Sequence, residues 1–430
     1  MRSRLAIATF SVAAMLWGCA TQQQATPPPA PQPPPPPVTK VEPLPPPLPE
    51  GPIRVGLLLP LTGDAGAVGA DMLDAAQLAL FDVGDSDLVL LPRDTSNTTE
   101  GAVAAARDAL DNGAQLLLGP LFSSATVAVT PLATARNVRV LSFSNDAAAA
   151  GKGAYVMGFR PEEQVDRVVR FAHGQGFTRV AALAPDDAYG ARALRAWRVA
   201  STGTPGIQPG PSATYQADGA GAAEVVARLT GSPLRQATTE EQRRALVSRT
   251  DAAGRLAMQR TEAAPAVPLS FDALLLPDSG TRLQTILALL DAHGLDARQT
   301  RLLGTMLWQD DPTIAVEPGL QGAWMATVAP DDLRAFARHF EDTFGRKPGP
   351  LAGLAYDVTA LAAVLARSER RFDDTALTAP AGFAGRLGIF RLMPSGITEH
   401  GLAVVEVGAG SSRLLDPAPA AFEPGLASAY

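Results

Sequence analysis

Four short polar clusters each follow an apolar run in this chain, and they carry the groups with which it could hold a small molecule. Ser123 and Ser124 come after Leu117-Leu118-Gly119-Pro120, and Ser142, Ser144 and Asn145 close Val140-Leu141. Asp187 and Tyr189 come after Leu183-Ala184-Pro185, and Asp278 after Leu274-Leu275-Leu276-Pro277. If the runs are strands of open α/β sheets, these clusters sit at carboxyl ends, where helix N-termini direct free amides and a positive dipole end into a crevice. Ser123 and Ser124 could offer hydroxyls and amides to a carboxylate there, or serve only to cap a helix. Tyr189 has an apolar face and a polar tip, which suits either a ligand or packing between lobes. Trp308, Gln309, Asp310 and Asp311 read as a surface loop, with the cleft rim as the other place for them.

Bond-making chemistry has no such pattern. There is no Gly-x-Ser-x-Gly elbow, no Ser-x-x-Lys, no phosphate-binding loop with its lysine and no His-Glu-x-x-His. His173, His293, His339 and His400 stand far apart without metal-ligand spacing, and Gly63, Gly66 and Gly69 read as a turn before a helix. No catalytic residue, cofactor or metal is expected. The single cysteine, Cys19, excludes an internal disulfide, and a net charge of −7 disfavours nucleic acid and anionic lipid as partners.

The elements that would position the clusters alternate. After Pro52, Ile53 to Leu59 reads as a strand, and Met72, Ala76, Ala79 and Val83 mark one face of a helix that Gly84 ends. Leu88 to Leu91 is the next strand, Asn97 and Glu100 are spaced as a capping box, and Gln115 to Leu118 and Val138 to Leu141 are strands around a helix starting near Ser123. A second series follows Arg160-Pro161: a helix through Val165, Val169 and Ala172, a strand from Arg179, a helix from Tyr189, a strand from Asp272, a helix from Gly280 to His293 and a strand from Arg301. The end turns β, with Arg386 to Met393 and His400 to Val407 as arms of a hairpin around Pro394-Ser395-Gly396. Such order predicts an α/β fold of two Rossmann-like lobes with parallel sheets.

The start is different. A basic Met1 to Arg4, an apolar run from Leu5 to Trp17 too short for a comfortable span, and Gly18-Cys19 read as a signal peptide over 1–18. Leu16-Trp17-Gly18-Cys19 resembles the lipobox of bacterial lipoproteins, with Cys19 as the lipidated residue; Ala20, where inner-membrane retention would place Asp, implies the outer membrane. Residues 19–52 form a tether in which proline makes up more than half of 26–49, so neither helix nor ladder can form. Extended as polyproline II at ~3.1 Å per residue, it reaches roughly 100 Å.

The order of Val55-Gly56-Leu57-Leu58-Leu59-Pro60-Leu61-Thr62-Gly63, Leu118-Gly119-Pro120-Leu121-Phe122-Ser123-Ser124, Val140-Leu141-Ser142, Asp187-Ala188-Tyr189-Gly190, Tyr356-Asp357-Val358 and the closing hairpin resembles the type I periplasmic-binding family, the leucine/isoleucine/valine-receptor kind. The family's plan implies lobe one from 53–159 plus 329–383 and lobe two from 160–328 plus 384–410, with crossovers near Phe159, Val328 and Ala384 and a tail at 411–430. It also implies a ligand face at Ser123, Ser124, Ser142, Ser144, Asn145 and Tyr189. Where its amino-acid receptors carry an acid to pair the ligand's ammonium, this chain has Thr281-Arg282, leaving Asp278 as the substitute and arguing against free amino acids.

A narrower resemblance is to LpoA-like penicillin-binding protein activators. A polar, Arg/Glu/Gln-rich helical insert at 231–268, and Phe271 to Asp278 after it, are similar to theirs. This implies a non-catalytic regulator of peptidoglycan synthesis, lipid-anchored on the periplasmic side of the envelope, with a penicillin-binding protein as partner and a small polar ligand in the cleft. The alternative is a lipid-anchored substrate-binding protein of an ABC importer for an amino acid or amide-like solute.

Overall fold

Strand β1, Ile53–Leu59, is buried almost throughout and anchors the first body. A computed structural model of the protein describes residues 51–422 apart from 85, 86, 310, 312 and most of 233–268. The signal peptide, Cys19, most of the tether, nearly all of the polar insert, Asp310 and the last residues of the tail lie outside the described residues. Around β1 run β2 (Leu88–Asp94), β3 (Leu116–Leu118), β4 (Arg139–Ser142) and β5 (Ala154–Val156), all parallel, in the order β2-β1-β3-β4-β5.

Both faces of this sheet are covered, which is why its central strands read as unbroken apolar runs. Ile53, Val55, Leu57 and Leu59 face α1 (Gly66–Val83) and helices contributed from far along the chain. Leu58, Leu117 and Val140 face α2 (Thr99–Asp111) and α3 (Ser123–Thr134). Gly56 belongs to that second face: a Cβ there would lie 2.6 Å from Leu117 and 2.9 Å from Ala109. The α2 cap is Thr98, whose Oγ1 accepts the Gly101 amide at 2.9 Å, rather than the expected Asn97, which has φ 55°. Phe122, with no capping side chain, precedes α3, so Ser123 and Ser124 occupy its first turn and do not cap it.

The second body starts with α4 (Pro161–Gly174), β6 (Arg179–Pro185), α5 (Ala188–Gly203) and β7 (Gln208–Tyr215). After α6 (Ala222–Thr230) come β8 (Ala273–Leu275), α7 (Gly280–Ala292), β9 (Arg301–Gly304) and β10 (Trp324–Thr327). β7 and β10 escaped the sequence reading. Pro209 and Pro211 interrupt β7, which is tolerable because it lies at the sheet edge. The chain then returns to the first body as α8 (Pro330–Phe344), α9 (Ala352–Ser368) and the short α10 (Asp374–Leu377). Phe336, Phe340, Ala355, Val358 and Ala362 complete the core over β1.

The last part differs from the expectation. β11 (Phe383–Gly385), β12 (Gly388–Leu392) and β13 (Thr398–His400) form a small antiparallel sheet whose Phe390 and Leu392 join the first core, and Val156 bridges Ile397. The hairpin therefore closes at His400. Of its expected second arm, His400 to Val407, the part from Ala403 leaves for the other sheet within β14 (Ala403–Gly408), antiparallel to β10. Ser411–Asp416, expected in a tail, is β15 of that sheet, which runs β15-β14-β10-β9-β8-β6-β7. The third passage between the bodies thus lies at 401–402 instead of Ala384, because Phe390 and Leu392 bury more apolar surface in the first core than a free hairpin would. Among the described residues no helix is long and apolar enough to cross a membrane.

Candidate functional site

Parallel order places the polar clusters at the carboxyl ends of strands, as the sequence order requires. On the first body the turn after β3 depends on Gly119, with φ +91°, where a Cβ would sit 2.3 Å from the Leu58 carbonyl oxygen. That turn delivers Phe122, 44% exposed, and the free amides heading α3. Ser123 is half-buried and Ser124 exposed, with the Thr99 hydroxyl donating to Ser124 Oγ at 3.4 Å.

The neighbouring turn after β4 is tied to itself. Ser142 is fully buried, its Oγ 2.6 Å from Thr126 Oγ1, donating to the Pro120 carbonyl at 3.0 Å and accepting the Ser144 amide at 3.1 Å. Ser144, also buried, accepts the Asp146 amide at 3.1 Å. Both serines therefore hold the turn in shape, and the group left facing outward is Asn145. Arg192 of α5 reaches it from the second body, donating from Nη2 to the Asn145 carbonyl at 2.5 Å and from Nη1 to Oδ1 at 3.4 Å. A fork of two 2.9 Å bonds to Glu162 of α4 fixes that guanidinium. The two sets of strand ends thus face each other across this contact.

On the second body Asp187 caps α5, accepting the Gly190 amide at 2.8 Å. Tyr189 donates to Thr305 Oγ1 at 3.0 Å, and burial, opposed by that bond, pushes its hydroxyl up to about 12. Asp278 is 1% exposed and fully engaged: Arg282 donates from Nη2 at 2.6 Å and from Nε at 2.7 and 2.9 Å, the Ser279 amide at 2.8 Å, and the Tyr215 hydroxyl as well. Burial first, then the bond to Asp278, drives the Tyr215 hydroxyl far above its ordinary range. The Asp278 bond raises Arg282 too, so this cation stays charged.

Trp308, expected in a surface loop, is 2% exposed. Its Nε1 donates to the Asp278 carbonyl at 2.9 Å, and its ring covers Gly304 so closely that a Cβ would meet it at 2.4 Å. Gln309 accepts from Thr327, and Asp311 accepts the Gly280 amide heading α7 at 3.0 Å. Sequence reasoning missed Arg192, Glu162, Thr305 and Tyr215. Only the Asp278–Arg282 spacing of four carried a signal that could have been used.

In the first body, beside the passage at Phe159, a small cavity of about 10 Å³, room for one water, is lined by Met157, Phe159, Asp357, Leu387, Phe390 and His400 among others. Asp357 accepts the Arg386 amide at 2.6 Å and the Leu387 amide at 3.0 Å; burial, outweighing these donors, pushes its carboxyl up to about 6. His400 lies over Phe159 with ring centroids 4.3 Å apart and pairs through Nδ1 with Glu163 at 2.9 Å. Among the described residues no cluster of His, Cys, Asp and Glu is arranged to hold a metal ion.

A family model described as periplasmic binding protein matches residues 52–410, most of the chain. The chain belongs to the periplasmic binding protein family. Solved structures agree on the fold of this periplasmic binding protein. One from Rhodospirillum rubrum, described as a branched-chain amino acid ABC transporter, has a TM-score of 0.67 at 19% identity, covering 85% of this chain and 100% of that one. A leucine binding protein of Thermotoga maritima has a TM-score of 0.55 at 17% identity, with 86% and 99% covered. A solute binding protein of R. palustris in complex with benzoate has 0.58 at 16%, with 87% and 98% covered. An uncharacterized protein of Rickettsia prowazekii (strain Madrid E) is 27% identical over 137 residues, 32% of this chain; the match spans 36% of that relative, about a third of its length. The matched family is one of binding proteins.

Proposed function

We propose that this periplasmic binding protein is a non-catalytic regulator of peptidoglycan synthesis, lipid-anchored through Cys19 and presented on its proline tether from the outer membrane to a penicillin-binding protein. One observation carries the reading: Asp278, the acid that would pair a solute's ammonium, is already closed by Arg282 and Tyr215. An amino acid would bury its ammonium opposite a neutralised carboxylate, and an unpaired buried charge is strongly unfavourable. The Arg192 contact with Asn145 adds support, since it brings the strand ends together through the protein's own groups. The purified domain is expected to retain a peptidoglycan synthase in a pull-down and to stimulate its glycosyltransferase or transpeptidase activity. Absence of both binding and stimulation overturns the reading. Cys19→Ala should release the protein from membrane fractions, and unchanged fractionation removes the anchor.

A second reading, a substrate-binding protein of an ABC importer, is favoured by the half-buried Ser123 and the amides heading α3 on the first body. These would suit a carboxylate, and Ser123, Ser124, Asn145 and Tyr189 would line its site. Ligand that binds only the folded state at one hundred times its Kd adds about 2.7 kcal/mol, a readable rise in Tm. A flat response to amino acids, amides, short peptides and benzoates eliminates this alternative.

A further inference from the structure

From Pro417 to Phe422 the chain stays against the molecule after β15. Asp416 pairs with Val404 in the second sheet, and Leu415 packs on that body's core. From Pro417 the chain turns back along the passage at 401–402. Pro419 lies against Gly401, where a Cβ would be 3.4 Å from its Cγ, and Phe422 reaches the first body. There the Arg391 guanidinium stands 4.6 Å from the centroid of the Phe422 ring, and a Cβ on Gly382 would be 3.0 Å from that ring. Arg391 is itself 7% exposed and pairs with Glu399 at 2.7 Å, so the platform under Phe422 is fixed. At the other end Arg167 of α4 donates to the Leu402 carbonyl at 2.9 Å, to Asp416 at 2.7 Å and to the Pro417 carbonyl at 3.3 Å.

We infer that residues 417–422 are a strap that doubles the passage at 401–402 and restrains the two bodies from hinging apart. Bodies of this fold move about the few residues that join them, because those residues absorb the change in φ and ψ. A lone extended segment swivels about its backbone bonds; a segment bound alongside another along its length must first shed that neighbour. The sequence suits the task. Pro417 and Pro419 fix φ and lack amide donors, so the strap loses little entropy on ordering and needs no ladder partner. Its six residues, at ~3.1 Å each, span about 19 Å, enough to run from the edge of one sheet to the other body. Opening the bodies must part Phe422 from Arg391 on the first body, or else pull the other end of the strap, Asp416 and Pro417, away from Arg167 on the second.

Hydrogen exchange on the full chain tests this. The reporters are two amides at the passages: Arg160, which donates to Glu163 Oε1 at 2.8 Å, and Gly401, which donates to the Ile389 carbonyl at 2.8 Å. Phe422→Ala removes a half-buried ring from the surface and should speed exchange at both by roughly tenfold, the factor for losing one contact of cation–π strength. Leu57 and Leu274, inside the two cores, should keep their wild-type rates. Pro417→Gly with Pro419→Gly, which keeps both end contacts and only loosens the strap, should give a smaller rise at the same amides. Wild-type rates at Arg160 and Gly401 in both variants, or an equal rise at Leu57 and Leu274, overturns the strap.

Discussion

The two rims that face each other between the bodies are built alike and finished differently. Each has a turn after a strand that opens a helix: Phe122 into α3 on the first body, Ser279 into α7 on the second. On the first the amides heading the helix lie beside the half-buried Ser123 and exposed Ser124. On the second the same place is filled from within, as Asp278 takes Arg282 and Tyr215 while Trp308 covers Gly304. Buried polar groups must be satisfied, and here the protein supplies the partners itself. The lesson is that one rim retains recognition chemistry while its counterpart has become core.

The largest test of that contrast is Arg282→Ala. It leaves the Asp278 carboxylate buried without its cation, and removing one member of a buried pair should cost about 3–4 kcal/mol in denaturant unfolding. Asp278→Asn added to it should recover part of the loss, because the stranded charge goes with it. Wild-type stability in Arg282→Ala would mean that Asp278 is not closed from within, and the contrast between the rims would vanish.

Next comes the buried carboxylate of the first body. Asp357 is buried like Asp278, at 5% against 1% exposed, but is held by the Arg386 and Leu387 amides, with no cation among the described residues in hydrogen-bond contact. With its folded pKa raised to about 6, it binds a proton more tightly folded than unfolded. Its favourable contribution is therefore complete below the unfolded value near 3.8 and lost as pH rises through about 6. Acidification from neutral pH should return up to about 3 kcal/mol from this residue. Asp82 and Asp374, whose pKa values lie below the ordinary range, act oppositely and only at lower pH. A carboxyl carbon NMR titration should place the Asp357 midpoint near 6; a midpoint in the ordinary range removes the difference between the two acids.

The doubly covered sheet was legible in the sequence for a physical reason. Strands buried on both faces, such as Ile53–Leu59 and Leu116–Leu118, admit almost only apolar residues, and their covering helices repeat apolar residues at helical spacing. The edges were not legible. β7 carries Pro209 and Pro211, and β15 is half exposed with Ser411 and Arg413 in it, so neither shows the pattern of a buried strand. Of the site, the turns after strands were legible, because the order of elements fixes where they fall. Which polar groups remain open in those turns was not: Ser142 turns inward to Thr126 and Pro120, and Trp308 folds onto Gly304, through contacts that the linear order does not contain. Arg282 was read as a missing acid, and its pairing with the acid four residues before it went unused.

Two smaller effects sharpen the distinction between groups that hold a turn and groups that face the gap. Tyr189→Phe removes the bond to Thr305 and should cost about 1 kcal/mol, the usual net worth of one hydrogen bond. Thr98→Ala should cost about as much, since Thr98 accepts the Gly101 amide at the head of α2.

Ser123→Ala should change stability least, within about 0.5 kcal/mol, because no side chain caps α3 and Ser123 lies inside its first turn. Alanine there even favours the helix slightly. The value of this substitution is that it separates stability from recognition. If Ser123 faces a ligand or partner, binding falls while Tm stays fixed. If Ser123→Ala instead lowers stability by 1 kcal/mol or more, the serine is a structural group like Ser142. The first rim would then be as self-contained as the second, and the asymmetry that directs recognition to the α3 end would be gone.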